Sequence, residues 1–223
     1  MALLLGLLIF SFVVTAILLV PFINLLYKLR FTRRFQVTRD AFNRKTPIFD
    51  RFHQHKQGTP VGGGLLMIAV VGLLFFLLFP LAKYVGVDVT HVYPISGEVH
   101  VLFFTFLSFG LLGLYDDMMK FFRLGKTGFF GLRLRHKFLI QWLLALIIAL
   151  LLYVNLKIDL LYIPFVSTLH LGWLYVPFAA SVIVAFANAV NITDGLDGLA
   201  ASVLMVALFA FWFLSAASLD TPL

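Results

Sequence analysis

Four carboxylates and two amides interrupt a chain that is 62% hydrophobic, and they fall in two short segments. One holds Asp116, Asp117 and Lys120; the other holds Asn188, Asn191, Asp194 and Asp197 at three-residue intervals. Adjacent carboxylates at the end of an apolar stretch repel one another unless a cation lies between them, so Asp116 and Asp117 imply a divalent metal or a basic side chain. In a continuing helix Lys120 stands at i+4 from Asp116 and i+3 from Asp117, within reach of either. The second segment supplies oxygen ligands of the kind a hard cation such as Mg²⁺ takes, and Gly195 and Gly198 can open the turn so that these groups converge. Capping of two helices that meet in a tight turn uses the same residue types, but four such groups exceed what capping needs. A third segment, Lys56-Gln57-Gly58-Thr59-Pro60-Val61-Gly62-Gly63-Gly64, has glycines that let successive backbone N–H groups turn towards an anion. It lacks the Lys-Ser or Lys-Thr pair of a P-loop, and a close helix crossing through small residues accounts for it equally well.

The elements that must position these groups follow from hydropathy. A mean hydropathy of +1.03, 26 Phe and only 12% charged residues leave too little polar surface to cover a soluble globule of 223 residues. Six apolar blocks stand apart: Ala2 to Leu26, Leu65 to Val85, Val99 to Tyr115, Phe138 to Val154, Trp173 to Ala187, and Leu199 to Ala217. Most approach the roughly 20 residues that carry a helix across a bilayer, the shorter ones borrowing flanking residues. The expected fold class is an all-α polytopic membrane protein, a single transmembrane domain over residues 1–223 with six transmembrane helices. The first block lacks the basic start and small-residue cleavage site of a secretory signal, so it reads as a retained helix. The blocks are continuous, which argues against a barrel of alternating strands. Between Ile158 and Leu174, Pro164 separates two short β-prone runs that suit a small hairpin. With no cysteines, thiolate chemistry and disulfides are excluded.

Charge sets the expected orientation. Between Tyr27 and Val61, nine basic residues stand against Asp40 and Asp50, a net of +7, and from Asp116 to Lys137 six basic residues stand against two acids. Lys83 and Lys157 are the two basic residues left for the opposite side. By the positive-inside rule the N-terminus lies outside and every motif-bearing segment faces the cytoplasm. The basic loop serves topology and attraction to anionic lipid before any substrate role. His53 and His55 lie in that loop without a third ligand nearby, so they do not define a metal site.

These motifs resemble the polyprenyl-phosphate N-acetylhexosamine-1-phosphate transferases. The pattern Asp116-Asp117 with Lys120, and the run Asn191-Ile192-Thr193-Asp194-Gly195-Leu196-Asp197-Gly198-Leu199-Ala200, are similar to the muramoyl branch of that family. The stretch Gly131 to Gln141, with Arg135 and Lys137, is similar to the basic segment that leads the family's fourth helix. The resemblance implies an enzyme of the bacterial inner membrane, with its active site facing the cytoplasm. It would transfer phospho-MurNAc-pentapeptide from UDP-MurNAc-pentapeptide to undecaprenyl phosphate, releasing UMP and making lipid I for peptidoglycan. It further implies Mg²⁺ as cofactor, catalytic Asp116, Asp117 and Asp194, and metal ligation by Asp117 and Asp194. Substrate would be bound by Lys56, Thr59, Lys120, Asn188, Asn191 and Asp197. The other partners implied are the lipid bilayer and a second copy in a homodimer, with no nucleic acid.

Two departures accompany the resemblance. The family continues its first motif after the proline with Thr-Met-Gly-Gly, where this chain has Val61 and Gly62 before Gly63 and Gly64, so a hydroxyl near the nucleotide is missing. The family fold has ten spans, with a further metal-binding aspartate and a histidine-rich motif in its later loops. The chain is therefore expected to be an N-terminal portion, inactive alone. Within the family the alternative substrate is UDP-GlcNAc, against which Lys120 argues. Outside it, the alternative is an ion-coupled transporter, which would place its charges near the bilayer midplane, whereas Asp116, Asp117, Asp194 and Asp197 fall at span ends.

Overall fold

The apolar blocks form helices because a segment in hydrocarbon must satisfy every backbone N–H and C=O within itself. A computed structural model describes residues 2–32, 45, 47–52, 57–84, 95–122, 134–163, 165, 167–194 and 196–219. In chain order these form α1 (Ala2–Lys28), the short α2 (Pro47–Phe52), α3 (Gly63–Tyr84), α4 (Ile95–Phe122), α5 (Leu134–Asn155), a hairpin of β1 (Leu160–Ile163) and β2 (Ser167–His170), α6 (Tyr175–Thr193) and α7 (Leu199–Leu219). Four helical segments are long and apolar enough to cross a bilayer: Ile9–Lys28, Gly97–Met119, Arg135–Asn155 and Gly172–Thr193. Gly63–Leu78 and Leu199–Leu214 are shorter apolar stretches. The protein is a helical membrane protein, and the hairpin expected around Pro164 is the one two-stranded sheet among the described residues, pairing Leu160 with His170 and Ile163 with Ser167.

The chain divides into two compact units, residues 6–140 and residues 141–223 joined by 1–5. In the first, α3 and α4 pack antiparallel. Gly110 lies where an added Cβ would come within 3.1 Å of Ile68, Gly72 faces Phe106 across 4.0 Å, and the Phe75 and Phe103 rings sit 4.7 Å apart. Moving up α3 thus means moving down α4, which brings the glycines that open α3 towards the same end as the carboxylates in the last turns of α4. The end of α1 reaches that level as well, since the Val61 N–H donates to the Phe31 carbonyl at 2.9 Å and Thr32 bridges Pro60.

In the second unit, small residues form the buried seam between two helices. Ala145 and Ala149 of α5 pack with Ala179, Ala180 and Val184 of α6, all buried. These positions recur every four residues, and the same spacing extends the α5 stripe back to Gln141 and the α6 stripe forward to Asn188. At the far end of the pair, the Tyr153 and Trp173 rings stand 5.1 Å apart. Elsewhere the helices present apolar side chains outwards, α7 over the whole of 201–214, as lipid-facing helices do.

Candidate active site

The polar groups expected from the sequence form two sets, one in each unit. In the first unit α4 does not stop where its hydrophobicity does. It runs on through Phe122, so Asp116, Asp117 and Lys120 all belong to one helix. Asp116 is buried, at 6% exposure, and its Oδ2 accepts a charge-assisted hydrogen bond from Lys137 Nζ at 3.4 Å. Asp117, the next residue, is half-buried. The cation called for by the adjacent carboxylates is thus in part a lysine from α5. The Lys120 side chain lies outside the described residues, as do Lys56, His53 and His55.

The glycine segment in the same unit has the backbone expected of it. Gly58 and Gly62 hold φ of +85° and +99°, a region L residues rarely adopt, and no atom lies within 4 Å of a Cβ added at Gly63 or Gly64. Thr59 is exposed beside them. Open backbone at the start of α3 therefore shares one end of the unit with Asp116, Asp117 and Lys137. Helix N-termini favour anions, so this end joins an anion-accepting element to a carboxylate pair.

The second set closes α6 and opens α7. Asn188 and Asn191 lie within α6. Asp194 is its C-cap, at φ −75° and ψ 48°, with its N–H bonded to the Val190 carbonyl at 3.1 Å. Asp197 lies in the turn before α7, and Gly198, at φ +81°, lets the chain reverse into it, as the turn expected at the glycines requires. Gly195 lies outside the described residues. Asn191, Asp194 and Asp197 are exposed, whereas Asn188 is half-buried and tied to the helix pair. Its Nδ2 donates to the Val184 carbonyl at 2.8 Å and to Gln141 Oε1 at 3.1 Å. Gln141 itself is 4% exposed.

Lys137 and Gln141 are absent from the site residues expected from the sequence. Both lie in the stretch Gly131 to Gln141, and the available signal is that a lysine and a glutamine stand four residues apart in the first two turns of a helix that is apolar from Trp142 to Val154. Among the described residues no group of three or more His, Cys, Asp or Glu side chains converges to hold a metal. Asp117 and Asp194 still offer hard oxygen ligands, and Mg²⁺ is commonly held by one or two carboxylates with water and substrate phosphate completing its shell.

Removing one partner of a buried ion pair strands the other charge, at a cost on the order of 3–5 kcal/mol when burial is complete and less at the partly exposed Lys137. Lys137→Met is expected to lower activity about tenfold or more, with Lys137→Arg keeping most of it. Initial rates of both variants in membranes check this, and equal rates for Met and wild type would remove Lys137 from the site.

In each unit of this helical membrane protein, carboxylates lie at or near helix ends, with amides beside them in the second. The family model of glycosyl transferase family 4 matches residues 99–223. The chain belongs to glycosyl transferase family 4. It is similar to the phospho-N-acetylmuramoyl-pentapeptide-transferase of Aquifex aeolicus, 37% identical over 83% of this chain and 48% of the relative. Proteins of the same name from Clostridium beijerinckii (34% identity, 92% of this chain, 55% of the relative) and Rickettsia akari (40%, 66% and 38%) are also similar. The chain spans about half the length of the curated relatives it matches.

Proposed function

We propose that the protein to which this chain belongs transfers phospho-MurNAc-pentapeptide from UDP-MurNAc-pentapeptide to undecaprenyl phosphate, giving lipid I and UMP. The observation that carries the proposal is the buried Asp116 held by Lys137 beside the half-buried Asp117, at the helix end where the glycine segment opens α3. The names of the similar proteins support the choice of sugar, as does Lys120, where the resemblance implies that relatives using N-acetylglucosamine phosphate more often carry a third acid. An oxygen of the lipid phosphate attacks the sugar-proximal phosphorus of the nucleotide, a new P–O bond forms, and the P–O bond to UMP breaks. Asp117, the more accessible of the pair, takes the proton from the lipid phosphate when that group is protonated, while Asp116 and Lys137 fix the helix end and its charge. Lys56, Thr59, Lys120, Asn188, Asn191 and Asp197 contact phosphates or nucleoside. Asp117 and Asp194 are the residues that would hold Mg²⁺, which would supply neutralisation of the diphosphate charge, and positioning of the reactants would provide much of the rate.

In the same proposal the chain contributes six membrane spans as one transmembrane domain, with the N-terminus outside and the site facing the cytoplasm. Because the sequence has no cysteine, single cysteines report orientation without background. Cysteine at the exposed Gln57 is expected to react with a membrane-impermeant thiol reagent only from the cytoplasmic side, and one at the exposed hairpin residue Thr168 only from outside. The reverse pattern overturns the orientation. The activity itself is tested by offering the full-length protein undecaprenyl phosphate with UDP-MurNAc-pentapeptide or UDP-GlcNAc and identifying the lipid product by mass. Product from UDP-GlcNAc alone would move the protein to the other branch of the family.

A further inference from the structure

A glutamine buried in an apolar helix pair must spend its hydrogen bonds well, because each polar group left unsatisfied in such surroundings costs on the order of 1–3 kcal/mol. Gln141 is 4% exposed, and its one described hydrogen bond is the one its Oε1 accepts from Asn188 Nδ2 at 3.1 Å. The second Asn188 amide hydrogen goes to the Val184 carbonyl, one turn back in α6, at 2.8 Å. These two contacts fix the orientation of both amides. A carbonyl oxygen accepts only, so the atom facing Val184 must be Asn188 nitrogen; the atom of Gln141 facing that nitrogen must then be oxygen. Turning Asn188 over would set oxygen against oxygen, and turning Gln141 over would set donor against donor.

Both Asn188 donors are thereby occupied, and its Oδ1 is held as an acceptor one turn before Asn191 and two turns before the turn carrying Asp197. Gln141 Nε2 is left beside it as a donor with no described partner. The Ala145, Ala149, Ala180 and Val184 seam continues the same two stripes and keeps the pair from shifting. An amide free to rotate offers donor and acceptor alternately, whereas one clamped at both hydrogens offers the acceptor alone. We propose that Gln141 is a positioning residue, clamping Asn188 through its Nδ2 so that Oδ1 is presented as a fixed acceptor to a donor group of the nucleotide substrate. The assignment of that substrate rests on the function proposed above, but the clamp does not.

Kinetics of the full-length protein and a direct reading of the Asn188 side chain test the proposal together. Gln141→Met is expected to lower kcat/KM for the UDP-sugar about tenfold, with KM for the lipid phosphate within about twofold and the melting temperature little changed. Gln141→Glu, which supplies the acceptor oxygen in either protonation state, is expected to recover most of the loss. Combining Gln141→Met with Asn188→Ala is expected to add little to Asn188→Ala alone, as for residues acting through one contact. Equal losses towards both substrates with a lowered melting temperature, or a fully additive double variant, overturn the positioning role. If Gln141→Met does not accumulate in membranes, Gln141→Glu decides: retained kinetics support the clamp, and a loss as large as that of Asn188→Ala overturns it. Selective ¹⁵N-asparagine labelling gives an arm independent of turnover. The Asn188 side-chain NH₂ signal is expected to exchange slowly with water in the wild type and in Gln141→Glu, and rapidly in Gln141→Met. Should the wild type transfer no sugar phosphate, the functional reading fails while this signal still decides the clamp; rapid exchange in the wild type overturns it.

Discussion

Asp117→Asn in the full-length protein is expected to lower transfer at least about a hundredfold while leaving the protein folded in detergent, the size of effect that follows loss of a group acting in proton transfer or charge stabilisation. The substitution keeps the shape of the side chain and removes only the charge, so a loss cannot be ascribed to packing. Asp117 is half-buried on α4, one residue beyond the buried Asp116. Asp116→Asn is expected to fall similarly for a different reason. It leaves Lys137 without its carboxylate at 3.4 Å and allows both the lysine and the end of α4 to shift. A displacement of about 1 Å at a site that depends on positioning can cost on the order of a hundredfold. The two causes separate in the combination with Lys137→Met: added to Asp116→Asn it should do little further harm, whereas added to Asp117→Asn it should compound the loss. Retention of more than about a tenth of wild-type activity by both asparagine variants would show that the carboxylate pair is not part of the chemistry.

How much of this was legible beforehand depends on what hydropathy can encode. Four of the six apolar blocks fall wholly within a helix, and the other two do except at one end, where Val85 lies outside the described residues and Trp173 and Leu174 form a 3-10 turn before α6, because continuous apolar runs leave the backbone little alternative in hydrocarbon. The block ending at Tyr115 is extended by its helix to Phe122, since backbone hydrogen bonding continues past the point where the side chains turn polar. That extension sets Asp116, Asp117 and Lys120 on one helix. The hairpin around Pro164 was also legible, from β-prone runs flanking a turn residue.

Rotation of the helices about their own axes was not legible. In a soluble protein an amphipathic stripe shows which face is inside, but a helix in lipid is apolar all round, and its inner face is not distinguished by hydropathy. The pairings that matter here, Lys137 with Asp116 and Gln141 with Asn188, span 21 and 47 residues and depend on those rotations. A weaker signal existed in the small residues. Ala145 with Ala149, and Ala180 with Val184 and Asn188, mark the close faces of α5 and α6 by their four-residue spacing. Carried one turn further, that spacing leads to Gln141.

Activity of the full-length protein is expected to require a divalent cation, with excess EDTA reducing turnover by about a hundredfold or more and added Mg²⁺ or Mn²⁺ restoring it. In the proposed reaction the diphosphate of a UDP-sugar and an incoming lipid phosphate would bring several negative charges together beside Asp116 and Asp117, and Lys137 is already engaged by Asp116. Lysine alone neutralises poorly under those conditions, whereas a hard dication bound by one or two carboxylates takes its remaining ligands from the phosphates themselves. Asp194 closes α6 and is exposed, which leaves its oxygens accessible to such an ion. Asp194→Asn should accordingly raise the Mg²⁺ concentration needed for half-maximal rate, about tenfold or more, before it lowers the rate at saturating metal. Undiminished turnover in excess EDTA would remove the metal from the mechanism. A lowered maximal rate with no change in the Mg²⁺ requirement would instead assign Asp194 to substrate contact.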